Sequence, residues 1–253
     1  MERPAQLMDP IQAIEDNTAE LLMAMGTAGG GSQRDDGSAR WTIGGSPLDY
    51  HNAVVAAAGD LGQVVADSAA ELRRYGVPGT WHVGPSLRSP ELIESLTTAG
   101  FAYDGSEPGM AVRLDELRAP TAVPGLALER ITDDAGLAIW AQTLGQGFGE
   151  GVKEATWVAS VYRALGYADP WRHYLATLNG TPVGTITTYR AASVTGVYFV
   201  MTVPEARRRG IGAALTHTAL TQADTEYAVL TSSSAGQSVY SSLGFHQHCT
   251  IDL

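Results

Sequence analysis

Thr202-Val203-Pro204-Glu205-Ala206-Arg207-Arg208-Arg209-Gly210-Ile211-Gly212-Ala213-Ala214 decides how this chain is read. A β-like run, Gly196 to Thr202, feeds a tight turn rich in arginine and glycine, and the turn opens directly into a helix-like segment. Successive backbone N–H groups at such a helix start lack intrahelical partners and carry the positive end of the helix dipole. They form a cradle for phosphate oxygens. A Cβ at Gly210 or Gly212 would hold an anion away, and the arginines bring charge nearby. A dinucleotide fingerprint fits less well, because the last glycine it needs is Leu215 here. The absence of any Gly-Lys-Ser/Thr excludes a Walker loop.

A second pattern lies downstream. Ala228-Val229-Leu230-Thr231 reads as a short buried strand, followed by Ser232, Ser233 and Ser234 and then a helix ending Tyr240-Ser241-Ser242-Leu243-Gly244-Phe245. Gly244 suits the helix end, and Phe245 returns to the core. Arg207-x-x-Gly210-x-Gly212 resembles the acyl-CoA pyrophosphate motif of the GCN5-related N-acetyltransferase (GNAT) superfamily, and Tyr240-x-x-Leu243-Gly244-Phe245 resembles the family's later strand–helix unit. The two stand in the family's order. The resemblance is specific over residues 126–253 and only suggestive over 40–118.

Composition sets the frame. The 253 residues carry a net charge of −11, with 44% hydrophobic residues and a mean hydropathy of −0.04, as expected of a soluble globular chain. Residues 1–125 hold 17 acidic and 8 basic side chains and residues 126–253 hold 10 and 8, so the acidic half is the one without the phosphate motif. This balance argues against nucleic acid as a partner. No apolar run suits a membrane span, and Met1 to Ile14 lacks the basic start and apolar centre of a signal peptide. A single cysteine, Cys249, fits a reducing cytoplasm.

Along the chain, Met8 to Met25 has helical spacing, Gly26 to Arg40 reads as a flexible linker, and Trp41 to Ile43 and Asn52 to Ala57 as strands. Asp60 to Arg74 and Ser89 to Ala99 read as helices, Gly79 to Gly84 and Met110 to Leu114 as strands. The proline-rich segment 119–125 is the expected boundary between an N-terminal α/β domain (1–118) and a C-terminal domain (126–253). There, Leu126 to Ile131 reads as a strand, and Asp133 to Phe148 and Glu154 to Leu165 as helices. Trp171 to Leu178 and Pro182 to Arg190 form a hairpin about Asn179-Gly180. Gly196 to Thr202, a helix from Gly210 to Asp224, and a last strand from His246 to Leu253 complete the order. Ala99-Gly100-Phe101 echoes Leu243-Gly244-Phe245. The resemblance therefore implies an α/β (α+β) GNAT fold, a mixed sheet flanked by helices. A smaller α/β domain precedes it, read as a degenerate GNAT-like repeat as in tandem-GNAT proteins, with an unrelated α+β domain as the alternative.

For function, the resemblance implies an N-acyltransferase of the acetyl-CoA-dependent kind, acting on a small-molecule amine by direct attack, so that proximity and orientation carry much of the rate. It assigns backbone contacts with the pantetheine arm and thioester to Val200, Met201 and Thr202. The pyrophosphate cradle falls to Arg207, Arg208, Arg209, Gly210, Ile211, Gly212 and Ala213. Ser233 stands where an asparagine contacts pantetheine in the family. Tyr240 matches the tyrosine that protonates the leaving thiolate; an aromatic at a helix end is otherwise a core residue. Glu150, Glu154 and Tyr198 are candidate bases, and Gly145 to Lys153 the expected acceptor loop. His246, His248 and Cys249 make a poor metal site, since alternation puts the cysteine on the other face; no metal is expected. The alternatives are a donor carried on an acyl-carrier protein's phosphopantetheine, a non-catalytic acyl-CoA sensor, and acetylation of a basic peptide. A homodimer held by the first half is compatible with each.

Overall fold

The structure, a computed structural model, describes residues 8–253, so the first half of the N-terminal stretch read against a signal peptide lies outside it. Helix α1, Pro10–Ala28, starts where the Asp9 carboxylate accepts the Ile11 and Gln12 N–H groups. Strands β1 (Ser32–Asp35), β2 (Ala39–Ile43), β3 (Ala53–Ala57) and β4 (Thr80–Trp81) form a small sheet in that order. Helices α2 (Leu61–Tyr75) and α3 (Pro90–Ala99) close over it, packing Val64, Val65, Leu92 and Leu96 against Trp41, Ile43 and Trp81. Asp60 and Ser89 cap their starts, and Gly76 and Gly100 end them in the left-handed conformation.

The segment 26–40 departs from its expectation. It is a helix end, a turn and an edge strand, with Ser32–Asp35 antiparallel to Arg40–Ile43. A Cβ on Gly26 would stand 1.7 Å from the Thr42 Oγ1, so close packing requires glycine there, and linker flexibility does not.

The second half follows its expected order. β6 is Leu126–Arg130, α4 Asp134–Leu144, α5 Val152–Leu165, β7 Trp171–Leu178, β8 Thr181–Ala191, β9 Val194–Thr202, α6 Ile211–Leu220, β10 Tyr227–Thr231, α7 Gln237–Ser242 and β11 His246–Asp252. The hairpin turns at Asn179 and Gly180, both with positive φ (50° and 83°) as a tight two-residue turn requires.

Strand β5, Ser106–Arg113, changes the domain picture. The large sheet runs β11-β5-β10-β9-β8-β7-β6, so a strand from before the 119–125 segment lies between the two last strands of the chain. Thr231 pairs with Gly109 and Tyr227 with Arg113, while Ile251 pairs with Glu107. Helix α1 joins the same body: Leu21, Leu22 and Met25 share a core with Trp140, Tyr162, Tyr174 and Phe245. The boundary expected at 119–125 thus does not coincide with a boundary between sheets. The physical reason is that β10 and β11 both have apolar faces and neither pairs with the other; β5 supplies the hydrogen bonds each lacks.

Two buried histidines make this core sensitive to acid. His173 stacks on Tyr162 at 3.9 Å and binds the Thr187 hydroxyl through Nδ1 at 3.0 Å. Burial, helped by the Arg130 charge, pushes it from 6.5 down to about 3. Burial likewise lowers His82 to about 4, opposed in part by its bond to the Tyr50 carbonyl. Both rings are neutral in the folded chain at pH values where the unfolded chain protonates them. Their contribution is full above pH 6.5 and declines as the pH falls below it. Unfolding free energy should therefore drop by about 3 kcal/mol from pH 7.5 to 5.5. Urea midpoints at the two pH values read this directly; an unchanged midpoint would show that these rings already carry protons.

Candidate active site

The site begins where two parallel strands part. β9 and β10 pair only at Thr195–Ala228 and Gly196–Val229, although β9 continues to Thr202 and β10 to Thr231. Beyond Gly196 a wedge opens between them. On its other edge β9 is bulged: Thr187 faces Tyr198 and Thr185 faces Met201, leaving Phe199 and Val200 opposite the single residue Ile186. Phe199 takes a φ of 52°, and its carbonyl accepts the Thr185 hydroxyl at 2.9 Å. The bulge removes the Val200 peptide from the ladder with β8 and leaves it beside the wedge.

The wedge leads to the start of α6. Arg208 and Gly210 both have left-handed φ values, 60° and 78°, which turn the chain sharply into the helix. Among the described residues no side chain caps α6, so its first N–H groups carry the helix dipole uncompensated. A Cβ on Gly212 would meet nothing nearer than 3.8 Å, the Thr202 hydroxyl. Packing against the protein therefore does not require glycine there. A ligand lying close over the backbone would.

Arg207 is placed differently from its expected role. Its Nε donates to the Thr202 carbonyl at 3.0 Å and its Nη2 to the Gly147 carbonyl at 3.3 Å. The guanidinium ties the end of β9 to the loop between α4 and α5, away from the helix start. Arg208 and Arg209 are exposed beside the cradle.

Tyr240 lies on α7, which approaches the α6 start through Val239, 4.0 Å from the Cβ position of Gly212. Its ring packs edge-on against Phe245 at 5.8 Å, and burial raises its hydroxyl well above the usual tyrosine value, so it stays protonated. Ser233 serves the turn before α7: its Oγ accepts the Gly236 N–H at 3.3 Å and its carbonyl accepts the Gln237 N–H at 3.2 Å.

Residues 147–250 match the family model of the acetyltransferase (GNAT) domain. This chain carries a GNAT domain. Its overall fold is similar to a GCN5-related N-acetyltransferase from Kribbella flavida, with a TM-score of 0.67 at 18% identity over 93% of this chain and 94% of that one. A functionally unknown conserved protein from Staphylococcus epidermidis superposes equally well, with a TM-score of 0.67 at 13% identity over 88% and 92% of the two chains. A tandem GNAT protein from the clavulanic acid biosynthesis pathway gives 0.57 at 14% identity over 75% and 67%. No curated protein matches the chain by sequence. Among the described residues no helix is long and apolar enough to cross a membrane.

The GNAT domain receives its opposite wall from the first half of the chain. Gly196, Tyr198, Val229 and Thr231 alternate onto one face of the sheet, the face covered by α1, where Ile14 packs with Val229 and Ala111. Tyr198, a candidate base, donates its hydroxyl to the Asn17 Oδ1 at 2.5 Å; Asn17 in turn donates to the Ala191 carbonyl at 3.0 Å. Burial raises the Tyr198 hydroxyl well above its usual value, so this group holds its proton and anchors α1.

Glu150 is exposed and paired with Lys153 at 2.7 Å. Glu154 is buried. Burial alone would raise its carboxyl, but the His51 ring at 3.3 Å, the Glu150 N–H at 3.0 Å and the nearby Lys153 together hold it below the ordinary glutamate value. It is thus ionised and already bonded twice.

His51 and its neighbour Tyr50 escaped the sequence reading. They sit on a loop held by Asn52, whose amide donates to the Ser46, Leu48 and Pro78 carbonyls at 3.0, 2.8 and 2.8 Å. His51 lies 4.5 Å from the Trp157 ring and 6.2 Å from Phe199, which carries the bulge. Trp157 Nε1 donates to the Gly45 carbonyl at 2.6 Å, closing the contact between α5 and this loop. Nothing in the local sequence marks Tyr50 or His51; only the docking of the two halves brings them to the wedge.

Proposed function

We propose that the chain is an N-acyltransferase that takes an acetyl group from acetyl-CoA and passes it to the amine of a small molecule. The observation that carries this reading is the continuity of the β9–β10 wedge with the uncapped start of α6. One strand edge is free for an amide-bearing arm, and one helix end for phosphates. The N–H groups of Arg208 to Ala213 would hold the pyrophosphate, with Arg208 and Arg209 adding charge. The peptides of Val200 and Met201 would hold the pantetheine arm. Arg207 and Thr202 would act by fixing the acceptor loop. The bound thioester supplies an activated acyl group, so no enzyme nucleophile is required.

A backbone N–H beside the bulge stabilises the negative charge that develops on the carbonyl oxygen during attack. Tyr240, protonated and half-buried, donates to the departing sulfur. Ser233, committed to its turn, contributes through shape.

Calorimetric titration of acetyl-CoA into the wild type tests the donor reading: saturable binding is expected. Tyr240→Phe should keep that affinity and lower turnover at least tenfold with any accepted amine. Turnover unchanged in this variant would remove Tyr240 as the acid. Affinity without turnover in the wild type would favour a sensor, and no affinity at all would favour a carrier-bound donor.

A further inference from the structure

The acceptor side of the wedge is anionic and aromatic. Glu107, on β5, stands two residues before Gly109, the partner of Thr231; a Cβ on Gly109 would lie 3.2 Å from Ile14, which fixes this as the α1 face. Glu107 therefore projects at the open end of the wedge, on the face shared by Tyr198 and Thr231. Its Oε2 accepts the Tyr50 hydroxyl in a long bond of 3.5 Å. Its hydrogen-bonding neighbours are hydroxyls, Tyr50 and Thr231, and no arginine or lysine accompanies it among the described residues. A half-buried carboxylate without a counter-ion is costly unless a cation visits it.

The surrounding wall is built of rings. Tyr50 lies edge-on to His51 at 5.5 Å and to His82 at 4.6 Å. His51 leads on to Trp157 and Phe199, and Phe199 to Phe148 at 5.3 Å. The buried His51 Nδ1 has no partner on this wall. The one nearby lysine, Lys153, is paired with Glu150 and exposed.

Resting on the acyl-transfer reading above, we infer that Glu107 and Tyr50 form the seat of the acceptor's ammonium, and that the acceptor is a primary amine borne on a flat aromatic body. The carboxylate attracts and orients the cation at the mouth of the wedge. The aromatic wall takes the apolar remainder. Anionic acceptors are repelled by Glu107 and Glu154 together. Burial pushes the Glu107 carboxyl above its usual range, only partly offset by the Thr231 and Tyr50 hydroxyls, so it is also the wall's most proton-hungry carboxylate.

The test is binding of 2-phenylethylamine, 3-phenylpropan-1-ol and 3-phenylpropanoate to the full chain without CoA, read by calorimetry or ligand-observed NMR. The amine should bind at least tenfold more tightly than the alcohol, and the acid not at all. Glu107→Gln, nearly isosteric, should erase the tenfold preference while leaving acetyl-CoA affinity intact. Tyr50→Phe should weaken amine binding by a smaller factor and so guards against misfolding in the first variant. Equal binding of amine and alcohol, an unchanged preference in Glu107→Gln, or no binding of the amine would each overturn the inference. Because these titrations need no donor, failure of acetyl-CoA to bind would sink the free acetyl-CoA reading separately.

Discussion

A chain beginning at Pro120 is expected to give no folded protein, even though it contains the whole of the segment that matches the GNAT family model. Such a chain loses β5, and with it the antiparallel partner of every residue of β10 and the register partner of most of β11. What remains to β10 is the short parallel contact of Ala228 and Val229 with β9. β11 would then have no paired edge and β10 one vacant edge, and these would meet solvent or each other. The fragment also loses Leu21, Leu22, Met25, Met110 and Val112 from the large core, each buried in the intact chain. At roughly 2 kcal/mol per buried side chain, this removes on the order of 10 kcal/mol, comparable to the whole stability of a typical domain. Far-ultraviolet circular dichroism and a urea transition would report the outcome. A soluble fragment that unfolds cooperatively would show that β10 and β11 can pair directly, and that the first half is an appendage.

That expectation also marks where the sequence stops being sufficient. The hairpin about Asn179-Gly180, the strand into Thr202 and the glycine-rich start of α6 are local features, each set by turn chemistry and periodicity within a few residues, and each was legible. The position of β5 was not. Met110 to Leu114 reads correctly as a strand, but an apolar strand carries no mark of the sheet it will join. Its placement between β10 and β11 depends on which edges those two distant strands leave vacant, and only the assembled sheet decides that. The acceptor wall was hidden for the same reason. Tyr50, His51 and Glu107 are spaced far apart in sequence from Glu154 and Tyr198, and only α1, β5 and the Asn52-held loop bring them together. Among the motif residues, Arg207 matched its pattern by spacing, yet its guanidinium binds the Thr202 and Gly147 carbonyls. A motif specifies the residue type and leaves open whether its backbone or its side chain does the work.

The division between backbone and side chain gives the last prediction. Gly212→Glu should weaken acetyl-CoA binding at least 100-fold, about 2.7 kcal/mol, without weakening the fold. Three features of position 212 separate the two effects. It lies in the first turn of α6 with ordinary helical backbone, so a side chain costs no strain, unlike Gly210 at φ 78°. Its Cβ direction is open to 3.8 Å, so a side chain displaces nothing in the protein. Replacing glycine in a helix, and placing a carboxylate in its first turn, both favour the helix, so the melting temperature should hold or rise. The same carboxylate would lie over the N–H groups that a pyrophosphate needs, opposing it by volume and by charge. Gly212→Ala supplies the control for volume alone, with a smaller loss of affinity expected from one methyl group. Arg207→Ala supplies the control for the motif's charge: because its guanidinium braces the acceptor loop, it should alter amine selectivity more than donor affinity. Undiminished binding in a stable Gly212→Glu protein would place the phosphates elsewhere, and the start of α6 would then be no more than a sharp turn into a helix.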